Sequence, residues 1–145
     1  MKKYILMLLA VGLTASCDFE TSNNGNLDGF WQLSQMDSVQ VAGGCSVDMK
    51  ASGVFWSVQH KMLETRNVNI YNSGIIFRFE HTGEKLILSS PVANIRSIGD
   101  SLVTDVEAVK PYGLTQLSDT FVVEQLDDTD MRLRNNTLRL HFRRY

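Results

Sequence analysis

Histidine, aspartate and cysteine side chains are the groups in this sequence that have the chemistry to hold a metal ion or to catalyse a reaction. His60, His81 and His141 lie far apart and form no His-x-x-x-His pair, and no Cys-x-x-Cys pair occurs. Asp127–Asp130 is an oxygen-rich turn, but it lacks the glycine and the distal glutamate of a calcium-binding loop. We therefore predict no metal site and an ordinary polar hairpin tip at Asp127–Asp130.

The sequence also lacks the usual motifs of catalysis. No Gly-x-Ser-x-Gly elbow positions a serine nucleophile, no glycine-rich phosphate loop occurs, and no pair of carboxylates stands out as acid and base. Cys45 has no basic residue beside it in the sequence that would activate its thiol. We therefore predict a protein that is not an enzyme, with no catalytic residue and no bound cofactor.

The N-terminal residues carry the clearest chemical signal. Lys2 and Lys3 precede the apolar run Tyr4–Leu13. That run is shorter than the about 20 residues of a membrane span, and it matches the apolar region of a cleaved export signal. The small residues Thr14–Ser16 then lead directly to Cys17. This order resembles the lipobox of bacterial lipoproteins, whose cysteine is acylated, palmitate being one such chain, and becomes the mature N-terminus.

The lipobox resemblance implies a division of the chain and a location. Residues 1–16 are predicted to be a signal peptide, and Cys17 is predicted to anchor the chain in the outer membrane. Residues 17–26 are predicted to be a flexible tether, and residues 27–145 form the folded domain. Acidic residues directly behind the cysteine resemble the surface-export signal of Bacteroidetes lipoproteins, and both the periplasmic face and the cell surface stay open.

Composition and charge exclude one class of partner. The 145 residues are 43% hydrophobic and 21% charged, which suits one globular domain with a single core. Two of the 14 basic residues lie in the signal peptide, which leaves 12 against 16 acidic residues in the rest, a net charge of −4. Nucleic-acid-binding proteins usually carry a broad positive field, so we expect no nucleic-acid partner.

Alternation of apolar and polar residues predicts an all-β, antiparallel domain. The clearest stretches are Phe30–Ser34, Val54–Gln59, Ile75–Glu80, Lys85–Ser89, Thr120–Leu126, Met131–Arg134 and Thr137–Arg143. Asn67–Asn72 is predicted to add a short strand, and Asn135-Asn136 suits a type I′ turn because asparagine tolerates positive φ. Seven or eight such strands favour a closed barrel over a sandwich, because closure removes exposed edges.

Residues 101–110 interrupt the strand pattern. Their apolar side chains recur at helical spacing, Asp100 is a suitable N-cap, and Pro111 and Gly113 follow as stop signals. We predict one short helix near residues 101–110, closing an end of the sheet.

Several motifs resemble one family over residues 27–145. Gly29-Phe30-Trp31 matches the Gly-x-Trp signature that opens lipocalins. The wider pattern is carried by Arg78–Gly83, Pro111–Leu114, Phe121–Leu126, Met131–Leu133 and Leu140–Tyr145. Together these stretches resemble the lipocalin-like domain lipoproteins of the Bacteroidetes type. The resemblance implies a small antiparallel lipocalin-like barrel and a family without an assigned activity.

The lipocalin resemblance also implies how one end of the barrel is closed. In lipocalins the signature tryptophan plugs the end, and an arginine of the last strand packs across it. The positions that match here are Gly29, Trp31 and either Arg143 or Arg144.

Two functions follow from the predicted barrel. In the first, a non-enzymatic module holds a small apolar ligand at a barrel mouth lined by aromatic residues. The candidate lining residues are Trp56, Phe77, Phe79 and Phe121. In the second, the same side chains fill a solid core, and the protein docks an envelope partner through its outer surface.

Basic residues on the last two strands give the docking hypothesis a candidate surface. Arg132 and Arg134 share one strand face, and Arg139, His141 and Arg143 share a face of the next strand. The row is interpreted either as a solvated face balanced by nearby acids or as a docking patch for an acidic protein or polysaccharide.

Overall fold

A computed structural model describes residues 21–95 and 97–145 of the chain. These residues form an all-β fold, as the alternating pattern predicts. The strands are β1 (Gly29–Ser38), β2 (Ser46–Asp48), β3 (Val54–Gln59), β4 (Met62–Asn67), β5 (Ile75–His81), β6 (Lys85–Ala93), β7 (Ser101–Leu102), β8 (Asp119–Leu126), β9 (Asp130–Arg134) and β10 (Leu138–Arg144). The predicted signal peptide and the predicted acylation site Cys17 lie outside the described residues.

Eight of the described strands close into an antiparallel barrel. The order around the barrel is β1, β3, β4, β5, β6, β8, β9 and β10, and pairing of β10 with β1 completes the ring. The short strand β2 adds to the second half of β1, and β7 adds to the end of β6. The small antiparallel barrel predicted from the sequence is confirmed. We call the end at which β1 begins the lower end and the opposite end the upper end.

The period-2 pattern of the strands produces the core. Inward-facing residues such as Trp31 and Leu33 in β1 and Trp56 and Val58 in β3 are at most 3% exposed. Burying each such side chain contributes roughly 1.5–3 kcal/mol to folding. The larger fully buried side chains are Trp31, Trp56, Phe77, Phe121, Phe142, Leu27, Leu33, Leu63, Leu86, Leu88, Leu114 and Met131. They belong to one continuous cluster inside the barrel.

The predicted helix near residues 101–110 is present in a shorter form. Two 3₁₀ turns, Val106–Ala108 and Lys110–Tyr112, occupy its second half. The first half begins as strand β7. The start of β6 pairs with β8, which leaves the end of β6 free to pair with β7. The N-cap is Asp105, whose carboxylate accepts a hydrogen bond from the Glu107 N–H at 2.9 Å, and not Asp100.

The part of the chain that the structure describes has no helix with the length and apolar character needed to cross a membrane.

The prediction of a strand over Asn67–Asn72 is wrong. Strand β4 ends at Asn67, whose side-chain oxygen accepts a hydrogen bond from the Asn69 N–H at 2.9 Å. The Ser73 hydroxyl donates to the Asn67 carbonyl at 2.7 Å, and Asn72 has a φ of 54°. Local side-chain bonds of this kind compete with a sheet ladder and turn the backbone into a loop.

The turn between β9 and β10 also differs from the prediction. Neither Asn135 nor Asn136 has positive φ, so the turn is not of type I′. The Asn135 side chain instead accepts hydrogen bonds from the N–H groups of Thr137 and Leu138, at 3.0 and 2.8 Å. Its amide nitrogen donates to Asp119, which joins the turn to the start of β8.

Candidate functional site

The four aromatic residues predicted to line a ligand site lie in or beside the barrel core. Trp56, Phe77 and Phe121 are fully buried, and Phe79 is half-buried at the lower end. The Trp56 and Phe121 rings touch edge to face, with centroids 5.8 Å apart. Three of the four therefore have no exposed surface to offer a ligand in this conformation. Ligand binding by this set stays a prediction.

The lower end of the barrel is closed around Trp31. The Trp31 Nε1–H donates to the Leu27 carbonyl at 3.0 Å, and the Leu27 side chain is 1% exposed. The guanidinium of Arg144 lies over the Trp31 ring. Gly29 has a φ of 141°, and a Cβ atom there would lie 2.5 Å from Arg144 Nη1. Arg143 instead donates to the Gln32 side chain at 2.5 Å on the outer face.

The upper end is closed by a segment that we call the lid, residues 106–114. Val109, Tyr112 and Leu114 are at most 5% exposed. The Trp56 Nε1–H donates to the Tyr112 carbonyl at 3.2 Å, and the Tyr112 hydroxyl donates to the Ser73 carbonyl at 2.7 Å. The lid therefore ties the core tryptophan to the loop between β4 and β5. With both ends covered, the barrel interior is a packed core.

A large depression lies on the outside of the barrel wall, across β4, β5 and β6. We call it the outer groove, and its volume is about 1000 Å³. It is lined by Lys61, Met62, Ile76, Arg78, Phe79, Glu80, Ser89, Ser90, Val92, Asp100 and Leu102, and the buried Phe77 lies beneath them. Met62 and Leu102 are 55% and 76% exposed, so two large apolar side chains face water on its borders. Together with Ile76, Phe79 and Val92 of the same lining they give the groove apolar surface, and contiguous apolar surface is the feature that marks binding sites.

A β-bulge shapes the outer groove. Ile76 pairs with Val92 and Arg78 pairs with Ser89, so one extra residue of β6 lies between these two pairs. Ser90 lies at this point with a φ of 53°. Bulges bend a strand and re-aim side chains, and here the bend lies beside the point where β7 joins β6.

The basic row on β9 and β10 is organised by one carboxylate. Glu124 accepts hydrogen bonds from Arg134 Nε at 2.9 Å and from Arg139 at 2.7 and 3.1 Å, and Arg132 Nε lies 3.4 Å away. We call Arg132, Arg134 and Arg139 the arginine cluster. The hydrogen bond from Arg139, followed by the charge of Arg139 and by Arg134, holds the pKa of Glu124 below its ordinary value although partial burial opposes this shift.

A bulge in β8 puts Glu124 in this position. Val123 pairs with Leu133 and Gln125 with Arg132, so Glu124 is the extra residue between them. Arg134 and Arg139 are direct cross-strand neighbours, an arrangement of like charges that is unfavourable without a counter-charge. The Glu124 carboxylate supplies that counter-charge. Nothing in the local sequence pattern marks Glu124 for this role.

A second, smaller depression borders the arginine cluster. This polar depression has a volume of about 230 Å³ and lies on the outer face of β1, β9 and β10. Its lining residues are Ser34, Gln35, Asp48, Lys50, Gln125, Asp130, Met131, Arg132, His141 and Phe142. His141 Nε2 lies 2.7 Å from the Asp37 carboxylate at its edge. The lining offers hydrogen-bond donors and acceptors side by side.

The histidines do not converge on a common point. His60, at the turn between β3 and β4, has a φ of 56° and accepts a hydrogen bond on its carbonyl from Asn24 at 2.7 Å. Burial lowers the pKa of His81, whose Nε2 is buried without a partner in the described part of the chain. Within residues 21–95 and 97–145, no three His, Cys, Asp or Glu side chains are placed to hold a metal ion.

The acidic turn Asp127–Asp130 forms the tip of the β8–β9 hairpin. The Asp127 carboxylate accepts hydrogen bonds from Gln125, Thr129 and the Asp130 N–H, at 2.8 to 3.1 Å. These hydrogen bonds lower the pKa of Asp127 strongly, and the bond from Gln125 has the largest effect. The carboxylate is used by the turn itself.

Similar proteins place the fold in a known family. A family model described as a lipocalin-like domain matches residues 9–145. A crystal structure of a lipocalin-like protein from Bacteroides uniformis is 20% identical, with a TM-score of 0.59 over 83% of this chain and 100% of that one. A structure of an uncharacterized protein from Bacteroides eggerthii is 19% identical, with a TM-score of 0.56 over 81% of this chain and 98% of that one.

No curated protein matches the chain significantly. The family match covers more than nine-tenths of the chain, and both structural matches support the same barrel. Lipocalin-like barrels are typically binding folds and not catalytic ones. The chain belongs to the lipocalin-like domain family.

Proposed function

We propose that this chain is a lipid-anchored, non-enzymatic binding module of the bacterial outer membrane, which docks an envelope partner on its outer wall. The filled barrel interior carries this proposal. The core has no exposed surface at Trp31, Trp56, Phe77 and Phe121. The lid closes the upper end of the barrel, and Arg144 closes the lower end by packing over Trp31. An apolar ligand inside would have to displace these side chains, whereas the outer groove is open already.

The composition of the outer groove suits a folded or extended partner segment. Met62, Ile76 and Leu102 supply apolar surface, while Arg78 and Glu80 add charges of both signs along the same wall. A small ligand is usually enclosed over most of its surface, and an open wall does not provide this enclosure. An apolar strip with a mixed-charge border is instead typical of protein interfaces.

The N-terminal segment, which leads to the predicted anchor, runs close to the outer groove. Ser22 and Asn24 bond to the backbone of His60, at 2.6 and 2.7 Å, and Asp28 accepts from both Ser22 and Asn24. The chain that leads back to Cys17 therefore leaves the barrel at the β3–β4 turn. Lys61 of this turn and Met62, the first residue of β4, line the groove, so a docked partner would lie close to the tether.

Photo-cross-linking in whole cells tests the groove directly. A benzoyl-phenylalanine is placed at Met62 or Leu102, and a control is placed at Val47, an exposed residue of β2 on the other side of the ring. We expect one discrete adduct from each of the two groove positions and no such adduct from Val47. When the cross-linker is at Met62, the additional substitution Leu102→Asp should abolish the adduct, whereas Val47→Asp should leave it in place. Equal labelling from all three positions would contradict the groove.

Native mass spectrometry of the protein purified from its own host tests the alternative of a ligand in the barrel. We expect the mass of the acylated chain without a retained small molecule. A stoichiometric small molecule whose loss exposes Trp56 to a fluorescence quencher would overturn the filled-core proposal and favour the aromatic site predicted from the sequence.

A further inference from the structure

We propose that the wall of the barrel opposite the outer groove is a binding site for an acidic polysaccharide, formed by the arginine cluster and the polar depression. The outer groove lies on β4, β5 and β6, whereas this second site lies on β1, β8, β9 and β10. β10 is four strands from β5 in either direction around the ring. The second site therefore shares no residue with the outer groove, and it does not depend on the proposed function.

The arginine cluster has donor capacity that its own carboxylate does not use. Three guanidinium groups with five N–H donors each surround the single carboxylate of Glu124, so the cluster keeps a formal charge of +2. Arg132, Arg134 and Arg139 side chains are 38 to 40% exposed, and their remaining donors are therefore within reach of solvent. Glu124 holds the three side chains in place, which lowers the entropy lost when an anion binds. The preferred ligand is a carboxylate or sulfate group.

The polar depression next to the cluster determines what carries that anionic group. Lys50, Arg132 and Gln125 offer donors, while Asp48 and Asp130 offer acceptors in the same depression. A sugar hydroxyl is donor and acceptor at once, so a polyhydroxylated ring satisfies both kinds of group. The volume of about 230 Å³ is sufficient for one sugar ring, and the lining is mostly polar.

The acceptors in the depression also argue against an acidic peptide. The carboxylates of Asp48 and Asp130, and that of Asp37 beside His141, would repel a run of aspartate or glutamate side chains. A polysaccharide with one acidic group per repeat meets the arginine cluster with that group and presents hydroxyls to the aspartates.

Two exposed aromatic rings, Phe30 and Tyr145, extend the same wall and pack on the buried Phe55. Phe30 stacks on Phe55 with centroids 4.6 Å apart, and Tyr145 packs edge-on against both. Gln32, which pairs with Phe55 across the sheet, accepts the hydrogen bond from Arg143. The C–H faces of a sugar ring pack well against such rings, so a chain of several sugars would continue from the depression toward Tyr145.

Affinity electrophoresis and calorimetry of the full chain in detergent test the proposal, with polygalacturonate and heparin as acidic polysaccharides. Neutral dextran and poly-glutamate are the comparison polymers. We expect binding to an acidic polysaccharide that weakens about tenfold or more between 50 and 200 mM salt, because counterions are released. We expect dextran not to bind and poly-glutamate to bind at least about tenfold more weakly, since the aspartates repel it.

The matched variants remove equal charge from two places. Arg134→Gln with Arg139→Gln should weaken polysaccharide binding about tenfold or more, and Arg66→Gln with Lys110→Gln, away from this wall, should leave it within about twofold. If the first pair of substitutions unfolds the domain, the single variant Arg132→Gln is used instead of that pair. Arg132 makes the longest contact with Glu124, so its removal disturbs the cluster least. Equal loss in both pairs, equal affinity for poly-glutamate, or no binding to either polysaccharide would overturn the assignment.

Discussion

The guanidinium carbon of Arg144 lies 4.4 Å from the centroid of the Trp31 ring, across the lower end of the barrel. The same guanidinium donates to the carbonyls of Asn26, Asp28 and Asp128, at 2.6 to 2.8 Å. One side chain from the last strand thus joins the first strand, the segment before it and the β8–β9 hairpin. The contact combines cation–π attraction with charge-assisted hydrogen bonds.

Replacement of Arg144 should therefore destabilise the domain. We expect Arg144→Ala to lower the free energy of unfolding by about 1–3 kcal/mol, because the Trp31 face and three carbonyls lose their partner. Arg143→Ala is the matched control and should cost less than Arg144→Ala, about 1 kcal/mol, since Arg143 makes one side-chain hydrogen bond, to Gln32, and does not contact the Trp31 ring. Urea denaturation measures both, and a larger effect at Arg143 would contradict the closure by Arg144.

Trp31→Ala tests the same end of the barrel from inside. The ring is fully buried, so we expect a loss of about 3–5 kcal/mol in the free energy of unfolding. The measurement is again urea denaturation, with Phe30→Ala as a comparison because Phe30 is 38% exposed on the outer face. A near-neutral Trp31→Ala would show that the plug does not hold the barrel closed.

The packing of the lid can be tested at Gly113. Its φ is 90°, and a Cβ atom there would lie 2.7 Å from the Leu140 side chain. We expect Gly113→Ala to destabilise the domain by about 1–3 kcal/mol through backbone strain and overpacking. Gly83→Ala, where a Cβ meets nothing within 4 Å, should change stability by less than about 1 kcal/mol. Thermal unfolding compares the two, and equal shifts would argue against a packed lid.

Glu124 gives a pH dependence with a definite sign. Its pKa in the folded chain lies below the ordinary value of 4.5. A depressed carboxyl pKa stabilises the fold above the unfolded-state value, and this stabilisation is lost as the pH falls through the folded-state value. At pH 7 we expect Glu124→Gln to cost roughly 0.5–1 kcal/mol, because these pairs are solvent-screened.

The difference between wild type and Glu124→Gln should shrink as the pH falls below about 4.5. Melting temperatures of both proteins across this range measure it. A difference that stays constant down to pH 2, or that grows on acidification, would show that the carboxylate does not stabilise the arginine cluster by its charge.

The predicted lipid anchor is tested at Cys17. Cys17→Ala removes the acylation site, so we expect the chain to leave the membrane fraction and to lose incorporation of labelled palmitate. Cys45→Ala is the control, because Cys45 is an exposed thiol of the folded domain. Membrane association that persists in Cys17→Ala would contradict the anchor and with it the proposed location.

Much of the fold was predictable because strand alternation is a local property. The stretches Val54–Gln59 and Thr120–Leu126 lie within a residue of β3 and β8. Errors arose where side chains bond to nearby backbone. Asn67 and Asn135 both use their amides in this way, which ended one strand early and produced a different turn. Short-range bonds of this type do not change the apolar pattern and so were not visible in it.

The candidate site was harder to predict. The sequence grouped Trp56, Phe77, Phe79 and Phe121 correctly as inward residues, but inward orientation does not reveal whether space is left between them. That depends on how far apart facing strands lie and on the lid, whose Tyr112 is 56 positions from the Trp56 that it bonds. The outer groove depends on a bulge at Ser90, for which the sequence has no signal.

The sequence alone determined the main barrel strands and the sign of the net charge, and it predicted an export and acylation signal, because each is a matter of neighbouring residue types. Only the tertiary structure decided that Arg144 and not Arg143 covers Trp31, that the interior is filled, and that Glu124 gathers three arginines. Barrel closure brings together residues up to 118 positions apart, and one-residue bulges reset which side chains meet. The register between neighbouring strands depends on the whole ring of strands, and no single stretch of the sequence specifies it.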